Sequence, residues 1–228
     1  MSAVFSFKKA VNYTVGTLLL CFNVGCLLFS LQLLKAKRVD VANTFYFLVS
    51  NSTHIQASTH ETEIIGGAGY LLETQEREYA TFSVYLSEKK AERARTALSE
   101  RNVSAETLPV SVGEIWLKTK QEKKNAKVYR SAFELLDNFL QVLDGQIVRL
   151  TVGGTQESVK GVLEILKKQF VYTEKEYEKI FPEFSKLCRH TVKSLEEKLD
   201  GIVYAKDLRY LLCELCVGYA QMAGNFSV

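Results

Sequence analysis

Apolar and polar side chains alternate in two segments of the first half of the chain. Residues 45–49 are dense in aromatic and branched side chains, which suit a half-buried strand. Residues 79–86 alternate with a period of two, which predicts a strand with one packed and one exposed face. The packed side chains of that strand would be Phe82, Val84 and Leu86, and the exposed ones Thr81, Ser83 and Tyr85.

Helical patterns and a glycine-rich turn connect these strands. A helix is expected to begin in the polar loop after the first strand, and Ser87 is positioned to cap a second helix with a thin alanine stripe. Residues 66–69 contain three glycines, which indicates close backbone approach or positive φ before extended structure resumes at Tyr70. Residues 105–110 are expected to form a short closing strand, in which Pro109 is tolerated only at an edge or an end.

The second half of the chain has the period of amphipathic helices. A first apolar face ends at Gly153-Gly154, and Thr155 is positioned to cap a second helix. Thr173 with Glu176 matches a capping box for a third helix, in which Pro182 would be a kink or a break. With a fourth helix near the C-terminus, residues 114–228 are predicted to form an antiparallel bundle, although the long first helix could also seek a partner.

Residues 15–34 form an uncharged run of the length that a transmembrane helix needs. No small-residue cleavage site follows this run, so a retained anchor is expected, with residues 40–43 as a polar tether. The basic residues on the two sides of the run are nearly balanced, and charge alone therefore does not orient it.

Composition and candidate chemistry narrow the function. The net charge of +3 gives no nucleic-acid footprint. Cys213 and Cys216 fall in the middle of a helix, where buried structural thiols are favoured over a redox pair. His54 and His60 lack the spacing of a zinc helix, which disfavours a metal site. No catalytic constellation or cofactor motif is found, so a non-enzymatic protein is expected. The basic segment 118–130 is favoured as a solvated helix face over a surface for anionic polymers or lipid headgroups.

The segments Phe45-Tyr46-Phe47-Leu48-Val49, Gly66-Gly67-Ala68-Gly69-Tyr70 and Phe82-Ser83-Val84-Tyr85-Leu86-Ser87 together resemble a SPOR (sporulation-related repeat) domain. The similarity covers residues 44–112 and is greatest to the membrane-anchored SPOR variants of endospore-forming Firmicutes. It implies an α+β, ribonucleoprotein-like fold, with a four-stranded antiparallel sheet and two helices on one face. It also implies that residues 44–228 lie outside the cell membrane, with residues 1–14 in the cytoplasm, and that the ligand is peptidoglycan lacking stem peptides.

The resemblance leads to a specific hypothesis: a peptidoglycan-binding or scaffolding protein of the cell wall, acting in sporulation or cell division. Glycan would bind on the open sheet face, through Tyr46, Leu48, Ser50, Ser83 and Tyr85. The first strand has Leu48 and Ser50 where the family commonly has Gln and Gly. That difference favours an alternative, in which the module binds envelope or division proteins and no glycan.

Overall fold

The computed structural model describes residues 37–51, 55–117 and 119–224. The first part is a four-stranded antiparallel sheet with strand order β2-β3-β1-β4. Its elements follow the chain order β-α-β-β-α-β, as in ferredoxin-like motifs. They are β1 (Lys37–Ser50), α1 (Ile55–Ile64), β2 (Tyr70–Glu73), β3 (Glu78–Tyr85), α2 (Glu88–Ser99) and β4 (Ala105–Leu117). The prediction of an α+β protein with a four-stranded antiparallel sheet is confirmed.

The two strands that pair along the longest stretch extend beyond their predicted limits. Strand β1 pairs with β4 from Lys37 opposite Leu117 to Ser50 opposite Ala105. Residues 40–43 are therefore not a tether, because they belong to β1 and contain only a register shift in the ladder. Strand β4 is an edge strand, as expected from Pro109, but it continues well past the predicted closing strand.

The helical half follows with α3 (Lys120–Lys124), α4 (Ala126–Thr151), α5 (Gln156–Tyr177), α6 (Pro182–Leu199) and α7 (Ala205–Met222). Thr155 caps α5, since its side chain accepts a hydrogen bond from the Ser158 amide at 3.4 Å. The predicted capping box at Thr173 is wrong, because Thr173 is a buried residue inside α5. The break falls instead at Pro182, which occupies the first turn of α6. Amide groups in a first turn have no acceptor within the helix, so the missing N–H of proline costs no hydrogen bond there.

The helices and the sheet share one hydrophobic core. Helices α4 and α7 pack on the sheet face that carries Phe45, Phe47 and Val49, while α5 and α6 pack mainly against each other. The ring of Tyr219 on α7 meets Phe45 at a centroid distance of 5.1 Å. The bundle therefore does not bury its apolar faces only against itself, since two of its helices use them to cover the sheet.

The opposite sheet face lies under α1 and α2. The Thr107 side chain on β4, which is opposite Leu48 in the ladder, donates to Glu92 Oε1 on α2 at 3.1 Å. Ala91 of α2 is fully buried, as is every residue of β3 between its two end residues. The expectation of an exposed face on β3 is wrong, because this strand is central in the sheet and helices cover both of its sides.

Within the described residues, no helix is both long enough and apolar enough to cross a membrane. The predicted anchor at residues 15–34 and the predicted cytoplasmic segment 1–14 lie outside the described residues.

Candidate binding site

The five residues predicted to bind glycan lie on the sheet face that α1 and α2 cover. Leu48 is 1% exposed and Ser83 is 3% exposed, and Tyr46, Ser50 and Tyr85 are half-buried. The expected open face is therefore closed, because the two helices of the β-α-β-β-α-β unit pack on it. The other sheet face is also closed, since α4 and α7 cover it. In this arrangement neither face offers a flat platform to a ligand.

A cleft of about 360 Å³ opens instead at the edge of β3. Ser83 and Tyr85 line this β3-edge cleft, and Leu48 contributes to its floor. The walls come from the α1–β2 turn, from α2 and from the ends of the bundle helices. They consist of Ile65, Gly66, Gly67, Phe82, Ala94, Ala97, Leu98, Arg101, Thr151 and Arg209. Three of the five predicted site residues thus meet in one cavity.

The cleft exists because β2 is short. Strand β2 pairs with β3 only as far as Thr81, and the Ala68 amide then donates to the Phe82 carbonyl at 2.7 Å. Beyond Phe82, β3 has no strand neighbour on this side. The chain enters β2 through Gly66, which has a φ of 87°, and Gly67, where a Cβ would lie only 2.7 Å from the Thr62 carbonyl oxygen. The glycine turn therefore brings its backbone close to β3 and leaves the strand end open.

Two guanidinium groups give the cleft positive charge. Arg209 of α7 donates from Nη1 to the Gly66 carbonyl oxygen and from Nη2 to Thr151 Oγ1 at 3.4 Å. Arg101, which lies just past the end of α2, also lines the cleft. Among the ion pairs of the described residues, neither guanidinium has a carboxylate partner. An anionic group on a ligand would supply the missing counter-charge.

The titratable groups around the cleft are poor nucleophiles. Burial raises the pKa of the Tyr85 phenol, and the nearby Arg209 charge opposes this rise only in part. Burial, followed by the Glu214 charge, raises the pKa of the Cys213 thiol. Both groups therefore stay protonated at neutral pH. The arrangement supplies positive charge and apolar surface, which suit binding.

A second cleft of about 530 Å³ lies between α1 and the loop before β4. Most of its lining residues carry amide, hydroxyl or carboxylate groups, while Phe82, Ile65 and Val103 add to an exposed lining surface that is largely apolar. The polar lining residues are Ser50, Asn51, Ser58, Glu61, Thr62, Asn102 and Ser104. Asn51 Nδ2 donates to Ser104 Oγ at 3.2 Å, while the buried Ser58 hydroxyl has no hydrogen-bond partner in the part of the chain that the structure describes. We call this cavity the polar cleft.

The other residues that the sequence suggested for redox or metal chemistry are either buried structural side chains or lie outside the described residues. Cys213 and Cys216 are fully buried in the middle of α7, as predicted for structural thiols. His54 is outside the described residues, and the described part of the chain contains no cluster of three potential metal ligands.

Three residues that define the β3-edge cleft were missed from the sequence: Arg101, Thr151 and Arg209. Arg101 lies in the turn after α2, Thr151 at the end of α4 and Arg209 on α7, far apart in the chain, and no local pattern connects them. No protein family model, curated protein or solved structure matches the chain. The fold itself defines the class: an α+β protein whose four-stranded antiparallel sheet lies between two layers of helices.

Proposed function

We propose that this chain is a membrane-anchored, non-enzymatic scaffolding protein of the cell envelope that binds a partner protein at the β3-edge cleft. The observation that carries the proposal is the pair of guanidinium groups, Arg101 and Arg209, in a cavity with largely apolar walls. Apolar surface continues at the cleft rim. Ile64 is 70% exposed beside the lining residue Ile65, and Val152 is 77% exposed beside Thr151.

Exposed apolar side chains around a charged cavity are typical of surfaces that bind proteins. The β-α-β-β-α-β order supports a SPOR-like module within residues 44–112. That module, together with the uncharged run at residues 15–34, supports a role on the outer side of the cell membrane, in sporulation or division. Because helices of the same chain cover both sheet faces, a protein partner is favoured over glycan bound on the sheet.

Photo-crosslinking in native membranes tests the proposal. A photoreactive residue in place of Val152 in the full-length protein is expected to give a discrete protein adduct, which persists after the wall is digested with a muramidase. The matched control carries the same residue in place of Tyr172, which is also exposed but lies on α5 outside the cleft. This control is expected to give no such adduct.

Charge variants make the test specific to the cleft. Arg209→Gln is expected to weaken the Val152 adduct about tenfold, since a charge-assisted contact is lost. Arg93→Gln removes an exposed arginine of α2 that does not line the cleft and is expected to leave the adduct unchanged. The proposal is rejected if the adduct is absent, or if the correctly folded Arg209→Gln protein gives it at full yield.

Glycan binding at the polar cleft is the second candidate. The hydroxyl and amide groups of Ser50, Asn51, Asn102 and Ser104 surround a cavity with the aromatic ring of Phe82 in its wall, which is a lining that suits sugar hydroxyls. In this case the detergent-solubilised full-length protein would sediment with glycan strands stripped of stem peptides. Asn51→Ala would then reduce sedimentation, whereas Arg209→Gln would not. Failure of the full-length protein to sediment removes this candidate.

A further inference from the structure

Strands β1 and β4 continue as a two-stranded ribbon beyond the rest of the sheet. Strand β1 pairs with β3 only between Tyr46 and Val49, whereas its pairing with β4 extends back to Lys37. The end of this ribbon consists of residues 37–39 of β1 and 115–117 of β4, and we call it the ribbon tip. Val39 of β1 and Leu117 of β4 are buried in the core. Their neighbours Arg38 and Trp116 are paired in the ladder and therefore point to the opposite, outer face.

An aromatic ring and a guanidinium group stand together on the outer face of the ribbon tip. Trp116 is 42% exposed, and the Arg38 guanidinium carbon lies 4.0 Å from the centroid of the indole ring. Arg38 also pairs with Glu114, with 3.0 Å between Nη1 and Oε2. A tryptophan with an apolar body and a polar N–H, beside a long basic side chain, is the combination enriched at membrane–water interfaces.

The surroundings of the ribbon tip are basic. The described residues 37–40, 114–117 and 119–127 contain six lysines and arginines and three acidic residues. The three acidic side chains are all engaged locally: Glu114 with Arg38, Asp40 with the Ala42 amide, and Glu122 with the Thr119 amide. Lys120 and Lys124 are exposed on the short helix α3 that follows β4. Glu183 lines a cavity together with Trp116 and adds a fourth acidic group, but the surface still carries excess positive charge, which complements anionic lipid headgroups.

The chain also limits how far the ribbon tip can lie from the predicted anchor. The uncharged run ends at residue 34, three residues before Lys37, and three extended residues span about 11 Å at most. The headgroup layer on each side of a bilayer is about 5–8 Å thick. A membrane-spanning run therefore places the ribbon tip at or just above the headgroups.

We propose that the ribbon tip lies on the membrane surface, with Trp116 among the headgroups and the neighbouring lysines against anionic lipid. The inference rests on the proposed membrane anchor and is separate from the β3-edge cleft. The observation that carries the inference is the antiparallel pairing of β1 with β4. This pairing places Lys37 and Arg38, which follow the uncharged run, beside Trp116 and the start of α3. This makes the basic segment a lipid-facing surface, whereas its interleaved Glu122, Asn125 and Ala126 favoured a solvated helix face from the sequence alone.

Trp116 is the single tryptophan of the chain, so its fluorescence reports on this one position. The full-length protein is reconstituted in vesicles of phosphatidylcholine and phosphatidylglycerol whose acyl chains carry bromine close to the headgroups. Flotation of the vesicles first reports whether the anchor inserts. We expect blue-shifted emission that shallow bromine quenches about twofold, with low accessibility to acrylamide in the water.

The control moves the tryptophan to the other end of the molecule in the double variant Trp116→Phe, Tyr204→Trp. Tyr204 immediately precedes α7, and Met222 at the other end of this helix lines a cavity together with Trp116. Because α7 is about 27 Å long, Tyr204 lies far from the ribbon tip. Emission from this variant is expected to be quenched by acrylamide and not by brominated lipid. The triple variant Lys120→Gln, Lys123→Gln, Lys124→Gln is expected to reduce the lipid quenching of Trp116 in anionic vesicles only.

Two outcomes overturn the proposal, and they are distinguishable. If the protein does not float with the vesicles, the anchor fails and the ribbon tip proposal fails with it. If it floats but Trp116 is as accessible to acrylamide as the control tryptophan and is not quenched by lipid bromine, only the ribbon tip proposal is wrong.

Discussion

The rings of Phe45 on β1 and Tyr219 on α7 pack edge to face, with an interplanar angle of 78°. The Tyr219 hydroxyl donates to the Val41 carbonyl oxygen at 3.2 Å, and its ring also contacts Phe133 on α4 at a centroid distance of 4.8 Å. These contacts join the sheet and the helices across one core. They also close the sheet face that α1 and α2 leave uncovered, and the candidate site, the β3-edge cleft, consequently lies at the sheet edge.

Replacement of Phe45 by Ala is expected to lower the free energy of unfolding by about 3–5 kcal/mol, because the ring is fully buried between sheet and helices. Urea unfolding of the full-length protein should show one transition, with helical circular dichroism and Trp116 fluorescence changing together. Thr44→Ala is the matched control. Its side chain lies on the other face of β1, and the change should cost less than about 1 kcal/mol. Separate transitions for the two probes would contradict the shared core.

Replacement of Gly67 by Ala is expected to destabilise the protein by about 1–3 kcal/mol. The added Cβ would meet the Thr62 carbonyl oxygen at 2.7 Å and the Phe82 Cα at 3.1 Å, and backbone atoms cannot move aside cheaply. Gly161→Ala serves as the comparison, since this glycine is exposed inside α5 with open space around it. That change should stabilise by about 0.5–1 kcal/mol. Equal effects of the two substitutions in urea unfolding would refute the close approach at Gly67.

Asp137 is expected to make stability depend on pH. Burial raises the pKa of its carboxyl above the ordinary 3.8, although the hydrogen bond from Asn43 Nδ2 at 2.9 Å opposes the rise. The folded state then binds this proton more tightly than the unfolded state does. The stability that the protonated group contributes is present below pH 3.8 and is lost as pH rises through the raised folded pKa.

Asp137→Asn keeps an oxygen acceptor for Asn43 and removes the charge. The variant should therefore be more stable than the parent protein at pH 7, and the difference should shrink as the pH falls toward 4. Urea midpoints across this range provide the measurement. Glu157→Gln, an exposed residue in the first turn of α5 that is not among the charges acting on Asp137, controls for the loss of one negative charge. A difference that stays constant with pH would show that the Asp137 carboxyl does not titrate as described.

The thiols of Cys188, Cys213 and Cys216 are expected to be unreactive in the folded protein. All three are fully buried, and burial raises the pKa of the Cys188 thiol to about 12. In a background in which the two N-terminal cysteines are Ser, Ellman's reagent at pH 8 should label them only after unfolding in urea. Ser99→Cys, at the exposed end of α2 and outside the β3-edge cleft, should react at once in the same protein. Rapid labelling of the parent thiols would indicate that α7 leaves the core readily.

The order of strands and helices was largely predictable, because it follows from local patterns. Each of these signals depends only on residues that are close in the sequence. Examples are the alternation before Ser87, the glycines before Tyr70 and the cap at Thr155. The same locality explains the error at Thr173. A capping-box pattern can arise inside a helix, and the packing of Thr173 in the core keeps α5 continuous there.

The candidate site was predictable only in part. Ser83 and Tyr85 do line the β3-edge cleft, but they were expected on an open surface. Arg101 and Arg209, which give the cleft its charge, come from opposite helix layers and share no spacing in the sequence. Their proximity depends on the short pairing of β2 and on the Arg209 contact with the Gly66 carbonyl.

The sequence by itself determined which side chains are apolar on each element, and therefore that every strand and long helix needed a partner surface. The tertiary structure decided which surfaces became partners. Strand alternation reports that a face is apolar but carries no information on what covers it. Helices α4 and α7 could have closed a bundle alone, yet burying Phe45 and Phe47 against them removes more apolar surface from water. That choice closed both sheet faces, and the β3-edge cleft lies at the sheet edge as a result.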